Sequence, residues 1–221
     1  MTGRLFLAAV LAACCAVPVS AQSDMPRSSA AAPSPRPLSD IDQARYVTNR
    51  YGICVVTQHF GSVQRALALP DEDAVTKALV RLATDDCLSS GELRMSPRLL
   101  RGAVYRAKYL RDFGNMSSAL RAAMIPATAQ PGKDAAAAAA VTFGDCVARL
   151  SPDATRALVV ADPATPLEEQ AIMALRPALA DCLPPRQQVR FERSSLQAML
   201  SESLYKLTVA QTKTSKDSGA R

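Results

Sequence analysis

The residues best able to do chemistry are few. His59 is the only histidine. A Ser/His/Asp triad, a Cys/His dyad or a multi-histidine zinc centre would have to use it or not exist. It is read here as a surface or loop-packing residue. Glycine occurs 9 times, with neither a phosphate loop nor a dinucleotide fingerprint. A C-x-x-C-H haem attachment is absent as well. No catalytic, cofactor-binding or metal-ligating set emerges, and the chain is expected not to be an enzyme.

Carboxylates gather at Asp71-Glu72-Asp73 and at Asp85-Asp86, beside Cys87. The first group suits the positive end of a helix. The second is unfavourable at a helix C-terminus. Pairs of Asp86 with Arg94 and of Asp181 with Arg190 would give it a purpose. Arg98, Arg101, Arg106, Lys108 and Arg111 crowd one segment, with Tyr105 and Tyr109 among them. They form a candidate anionic-surface patch for lipid head groups or an acidic partner. The formal net charge of +6 is too modest for a nucleic-acid signature.

The N-terminus reads as an export signal, residues 1–21. Arg4 precedes an apolar run from Leu5 to Val17, and Val19-Ser20-Ala21 supplies small residues before Gln22. The run is shorter than the roughly 20 residues of a membrane span. A second reading of the same segment takes Leu11-Ala12-Ala13-Cys14 as a lipobox, with Cys14 lipidated. Cleavage after Ala21 leaves Cys54, Cys87, Cys146 and Cys182, an even count that suits two disulfides in an exported chain. A periplasmic or secreted location follows as the expectation.

The elements that must position these residues come as two copies of one unit. Tyr51-Gly52-Ile53-Cys54-Val55 recurs as Phe143-Gly144-Asp145-Cys146-Val147, 92 residues on. Asp86-Cys87-Leu88 recurs as Asp181-Cys182-Leu183, and Leu93-Arg94-Met95 as Val189-Arg190-Phe191. Leu100 and Tyr109 recur as Leu196 and Tyr205, 96 residues on. The counterpart of His59, near Leu150 and Ser151, has no histidine. Four cysteines permit three pairings. Only Cys54–Cys87 with Cys146–Cys182 treats the copies alike.

With 5% aromatic residues, no Trp and abundant Ala, the fold is expected to be all-α. It is read as two tandem four-helix units, each with one internal disulfide. The layout is a signal at 1–21, a Pro/Ser/Ala-rich linker at 22–38, unit one at 39–113, a second linker at 114–133, unit two at 134–208 and a flexible tail at 209–221. Ser39 caps the first helix. Asp71 to Asp73 open a long third helix that carries Val75, Leu79, Leu82, Ala83 and Cys87 on one stripe. Thr165-Pro166-Leu167-Glu168 opens its counterpart as a capping box, which Pro177 should kink or shorten. Ser96-Pro97 and Ser151-Pro152 mark further helix starts. Leu93–Met95 and Val189–Phe191 are extended links that could pair as strands. The long fourth helices are the expected contact between units.

The repeated Cys-Val and Arg-Ala-Leu elements, and Cys-Leu followed by Leu-Arg-Met or Val-Arg-Phe, resemble uncharacterised exported proteins of sphingomonad-type alphaproteobacteria. The resemblance covers about residues 40–208. It implies a bacterial periplasmic setting and carries over no functional residue. The expected role is a non-catalytic interaction or scaffold protein of the cell envelope with an unidentified envelope protein as partner. The alternative is a carrier or sensor of a small apolar ligand held between helices.

Overall fold

The computed structural model describes residues 37–88, 92–116, 135–183 and 189–219. The signal and lipobox readings, with Cys14, lie outside them, as do all but the end of the first linker and most of the second. Ser39 opens α1 (Asp40–Gln58) by accepting the Asp42 N–H, with Asp40 and Asp42 in the first turn. Ser39 also holds the Asp42 carboxyl below its usual range. His59 closes α1 and leads into α2 (Phe60–Leu67). Asp71 caps α3 (Glu72–Val80) through the Ala74 N–H, and Ser96 with Pro97 starts α4 (Pro97–Phe113). In the second half follow α5 (Ala135–Leu150), α6 (Pro152–Val160), α7 (Pro166–Asp181) and α8 (Arg193–Gly219). The fold is all-α, and the layout is compatible with two copies of one unit.

Both bridges form as expected. Cys54 joins Cys87 across 33 residues, and Cys146 joins Cys182 across 36. In this kind of small helical unit a staple offsets a thin core. Each half has its own apolar cluster. One gathers Tyr51, Val55, Val63, Leu79 and Leu100; the other gathers Phe143, Val147, Leu158, Leu175 and Leu200.

Four local expectations need correction. α3 stops at Val80, and Cys87 sits on a separate 3₁₀ turn, Asp85–Cys87. Thr84 and Asp85 are poor helix formers, and acids oppose the negative end of a helix. The second half has Leu179 and Ala180 there, and α7 continues. Pro177 lies inside α7 without shortening it. Its face is exposed, so water serves the carbonyl it leaves unpaired, while Leu175 and Ala178 anchor the turn inside. The extended links form no strand among the described residues. The segment read as a tail continues α8 to Gly219, since no Gly or Pro interrupts it before then.

α4 and α8 are the central pair, and their packing is the main joint between the halves. They run side by side in the same direction. Gly102 meets Ala198 near one end, and the Phe113 ring meets the Tyr205 ring 5.9 Å away near the other. A Cβ on Gly102 would sit 2.2 Å from the Ala198 Cβ. This glycine is therefore required by the close approach of two backbones. Positions 102 and 198 are equivalent under the 96-residue offset. Gly52 and Gly144 seat α1 on Ala103 and α5 on Met199, another equivalent pair.

Candidate functional site

Every residue of α4 from Leu100 to Tyr109 is buried. This overturns most of the anionic-surface patch. Arg101, Arg106 and Lys108 are interior side chains, and only Arg98 and Arg111 remain exposed. The basic run marks a helix surrounded by α1, α3, α6 and α8. Arg101 and Arg106 reach out to acids and carbonyls beyond it, and Lys108 pairs with Asp112 one turn on along α4 itself. Arg111 and Lys108 both stack on the Phe60 ring, 3.8 and 4.4 Å from its centre.

On the α5 side of the seam, Arg101 Nε lies 2.9 Å from the Glu202 carboxylate. Lys206 Nζ donates to Glu202 at 2.6 Å and to Glu72 at 3.1 Å. Burial alone would push the lysine down, but Glu202, Tyr105 and Glu72 outweigh it and hold the ammonium above its usual range. Burial, with the nearby Glu202 charge, drives the Tyr105 phenol well up. Burial also raises the Asp145 carboxyl, against a hydrogen bond from Ser203 and the charge of Arg149.

On the α1 side, Arg45 bridges Asp42 and the fully buried Glu168, two partners separated by much of the chain. Glu168 also accepts the Ala164 N–H at 2.9 Å. That contact steadies Ala164, whose φ of 59° is costly for a residue with a Cβ. Thr165 caps α7 by accepting the Glu168 N–H. The capping-box pattern thus marked a residue whose larger role is to anchor α1. Asn49 donates to Gln197, and Gln197 in turn donates to the Leu158 and Ala161 carbonyls. Arg106 covers the same end of α6, donating to the carbonyls of Val159 and Ala161 and to Asp162. The cross-helix roles of Arg45, Gln197, Glu202 and Lys206 carried no sequence signal. Only the Asp42–Arg45 and Glu202–Lys206 spacings, three and four residues on one helix, were local and readable.

Two pockets flank the seam. The first, about 230 Å³, lies between α1, α4 and α8; the second, about 210 Å³, lies between α5, α8 and α4. Their walls correspond. Thr48 and Asn49 in the first stand where Ala140 and Val141 stand in the second. Leu99, Ala103 and Arg106 match Ser195, Met199 and Glu202, while Ser194 and Gln197 match Arg98 and Arg101.

The other expected sites are placed apart from these pockets. His59 is half-buried at the α1–α2 corner, with Nε2 unpartnered. Asp71 is spent on capping α3, and Asp85 and Asp86 lie on the 3₁₀ turn. The Asp86–Arg94 and Asp181–Arg190 pairs do not form. Arg94 pairs instead with Glu92, only two residues away, and both are exposed. Chemically, the seam is a set of opposed charges that lock helices together, with two small, mostly carbon-walled openings beside it. No family model, curated protein or solved structure matches the chain. Fold and site define a helical protein with two disulfides and a charge-locked central helix pair.

Proposed function

We propose that this chain is an exported, non-catalytic interaction or scaffold protein of the cell envelope. The observation that carries this reading is how the interior charges are used. Arg45, Arg101, Arg106, Lys108 and Lys206 each engage an acid or a backbone carbonyl belonging to the fold itself. These groups serve as structural fasteners, including Glu72 and Lys206, which pair with each other where they line a small pocket of about 140 Å³. Two disulfides suit an oxidising extracytoplasmic compartment. Among the described residues, no helix is long and apolar enough to cross a membrane. The resemblance to exported proteins of sphingomonad-type bacteria supports the same setting.

Ile41 and Leu167 are 75% and 66% exposed, and they serve as reporters. A photocrosslinking residue at either position, in protein exported by its own signal, is expected to yield a discrete protein adduct. Turnover in a broad hydrolase screen, lost on Lys206→Met, would overturn the non-catalytic reading. A second reading, a carrier or sensor of a small apolar ligand, is favoured by the carbon-walled pocket between α1, α4 and α8.

A further inference from the structure

We propose that the pocket between α1, α4 and α8 binds a small apolar monocarboxylate, with the hydrocarbon inside and the carboxylate on Arg94. This rests on the carrier reading and names the ligand class. Three observations support it.

The first is size and lining. A cavity of about 150 Å³ holds benzene, so the 230 Å³ here suits a somewhat larger body, on the order of ten non-hydrogen atoms. Ile41, Leu93, Met95, Leu99 and Ala103 line it with carbon. An alkyl chain or a substituted ring would bury most of its surface there.

The second is the cation at the lip. The link before α4 places Leu93 and Met95 in the wall with Arg94 between them. The other two arginines of the pocket are engaged within the fold: the Arg45 NH groups hold Asp42 and Glu168, with only its buried Nε left over, and Arg106 holds the end of α6. Arg94 is 86% exposed, and its partner Glu92 is 71% exposed. An ion pair in that setting contributes little to stability. Arg94 therefore gives up little in turning to a ligand carboxylate, which it can hold through two parallel N–H bonds.

The third is the matched pocket across the seam. The corresponding link, Val189–Phe191, does not line it, and Phe191 instead stacks on Phe143 at 4.9 Å. Its own carboxylate, Glu202, already meets Arg101. The shared cavity shape comes from the way α4 and α8 pack, whereas the link with its arginine lines one side alone; the exposed arginine of the other pocket, Arg98, stands on α4 itself.

The test uses the full-length, disulfide-intact protein and three probes of equal chain length: octanoate, octan-1-ol and octylammonium. Binding is followed by amide shifts and calorimetry. Octanoate is expected to bind most tightly and to shift Thr48 and Met95. Arg94→Gln should weaken octanoate at least fivefold without changing the affinity for octan-1-ol. Ala44→Phe, at an exposed position on the pocket wall, should weaken it more than tenfold. Ala140→Phe, on the wall of the other pocket, should leave it unchanged. Octan-1-ol or octylammonium binding as tightly as octanoate would overturn the carboxylate assignment and leave the carrier reading standing. Undiminished octanoate binding by Ala44→Phe would overturn the location. Failure of all three probes to bind at millimolar concentration would overturn both the assignment and the carrier reading.

Discussion

The two sides of the α4–α8 seam use corresponding positions but distribute charge differently. On the α5 side, two cations and two acids share contacts: Arg101 and Lys206 with Glu72 and Glu202. On the α1 side, one acid, Glu168, is the buried partner of Arg45 and also steadies the Ala164 turn. A shared network tolerates the loss of one member better than a single buried partner does. The packing of the halves is therefore redundant on one side and dependent on one carboxylate on the other.

The strongest way to break this comparison is to remove those acids one at a time. Glu168→Ala leaves Arg45 buried with only the half-exposed Asp42 as partner, and should cost about 3–5 kcal/mol in denaturant unfolding. Glu202→Ala leaves Glu72 to serve both cations and should cost distinctly less. Equal losses would show that the two sides are energetically alike. Arg45→Met combined with Glu168→Leu should be milder than Glu168→Ala alone, because no charge is stranded.

The disulfides sharpen the comparison between halves. Their loops are similar in length, and the chain-entropy model assigns each roughly 3–4 kcal/mol. The native ends differ. Cys182 follows directly on α7, whereas Cys87 lies on a 3₁₀ turn beyond α3. The Tyr51 hydroxyl, donating to the Thr84 carbonyl, gives that turn one further tie to α1. Replacing Cys54 and Cys87 by Ser should therefore lower hydrogen-exchange protection around Asp85–Leu88 more than replacing Cys146 and Cys182 does around Asp181–Leu183.

These two levels differ in how far they could be read from sequence. The helices, their Ser39, Asp71, Ser96 and Thr165 caps, and both cysteine pairings were legible, because each rests on local chemistry or on the repeat. The burial of α4 was not. Arg101, Arg106 and Lys108 have the composition of a solvated face, and only the neighbouring helices turn them inward. Glu168 was visible as a capping residue, but its pairing with Arg45 spans 123 residues. The end of α3 was a local matter misread: the apolar stripe from Val75 to Cys87 outweighed the poor helix formers Thr84 and Asp85.

Gly102 and Ala198 test the seam itself at smaller cost. Gly102→Ala should destabilise by about 1–3 kcal/mol through overpacking against Ala198. Adding Ala198→Gly removes the nearest contact, the methyl, and relieves part of the clash, although the Cα of residue 198 still lies 2.5 Å from the new Cβ. The double variant should be more stable than the sum of the two single losses predicts, although a helix-interior glycine costs roughly 0.5–1 kcal/mol. Strict additivity would mean that the helices separate freely and that 102 and 198 are not a constrained contact.

The smallest expected effect comes from Asp145, on the side with redundant pairing. Its counterpart in the first half is Ile53, which is exposed, whereas Asp145 is buried. Burial is the largest influence on its carboxyl and raises it, despite Ser203, Arg149 and Lys206. A raised carboxyl in the folded state means that stability falls as pH rises from the unfolded value, about 3.9, through the folded one. Above both values the loss is complete and constant. Asp145→Asn removes the charge while keeping a group that can bond Ser203. It should raise Tm by a few degrees at pH 7, and the advantage should shrink as the pH falls through the raised folded value and be gone below about 4. A variant less stable than the parent at neutral pH would show that Asp145 belongs to the charge network as a full member. The α5 side would then depend on three acids, and its tolerance to loss of Glu202 would need a different explanation.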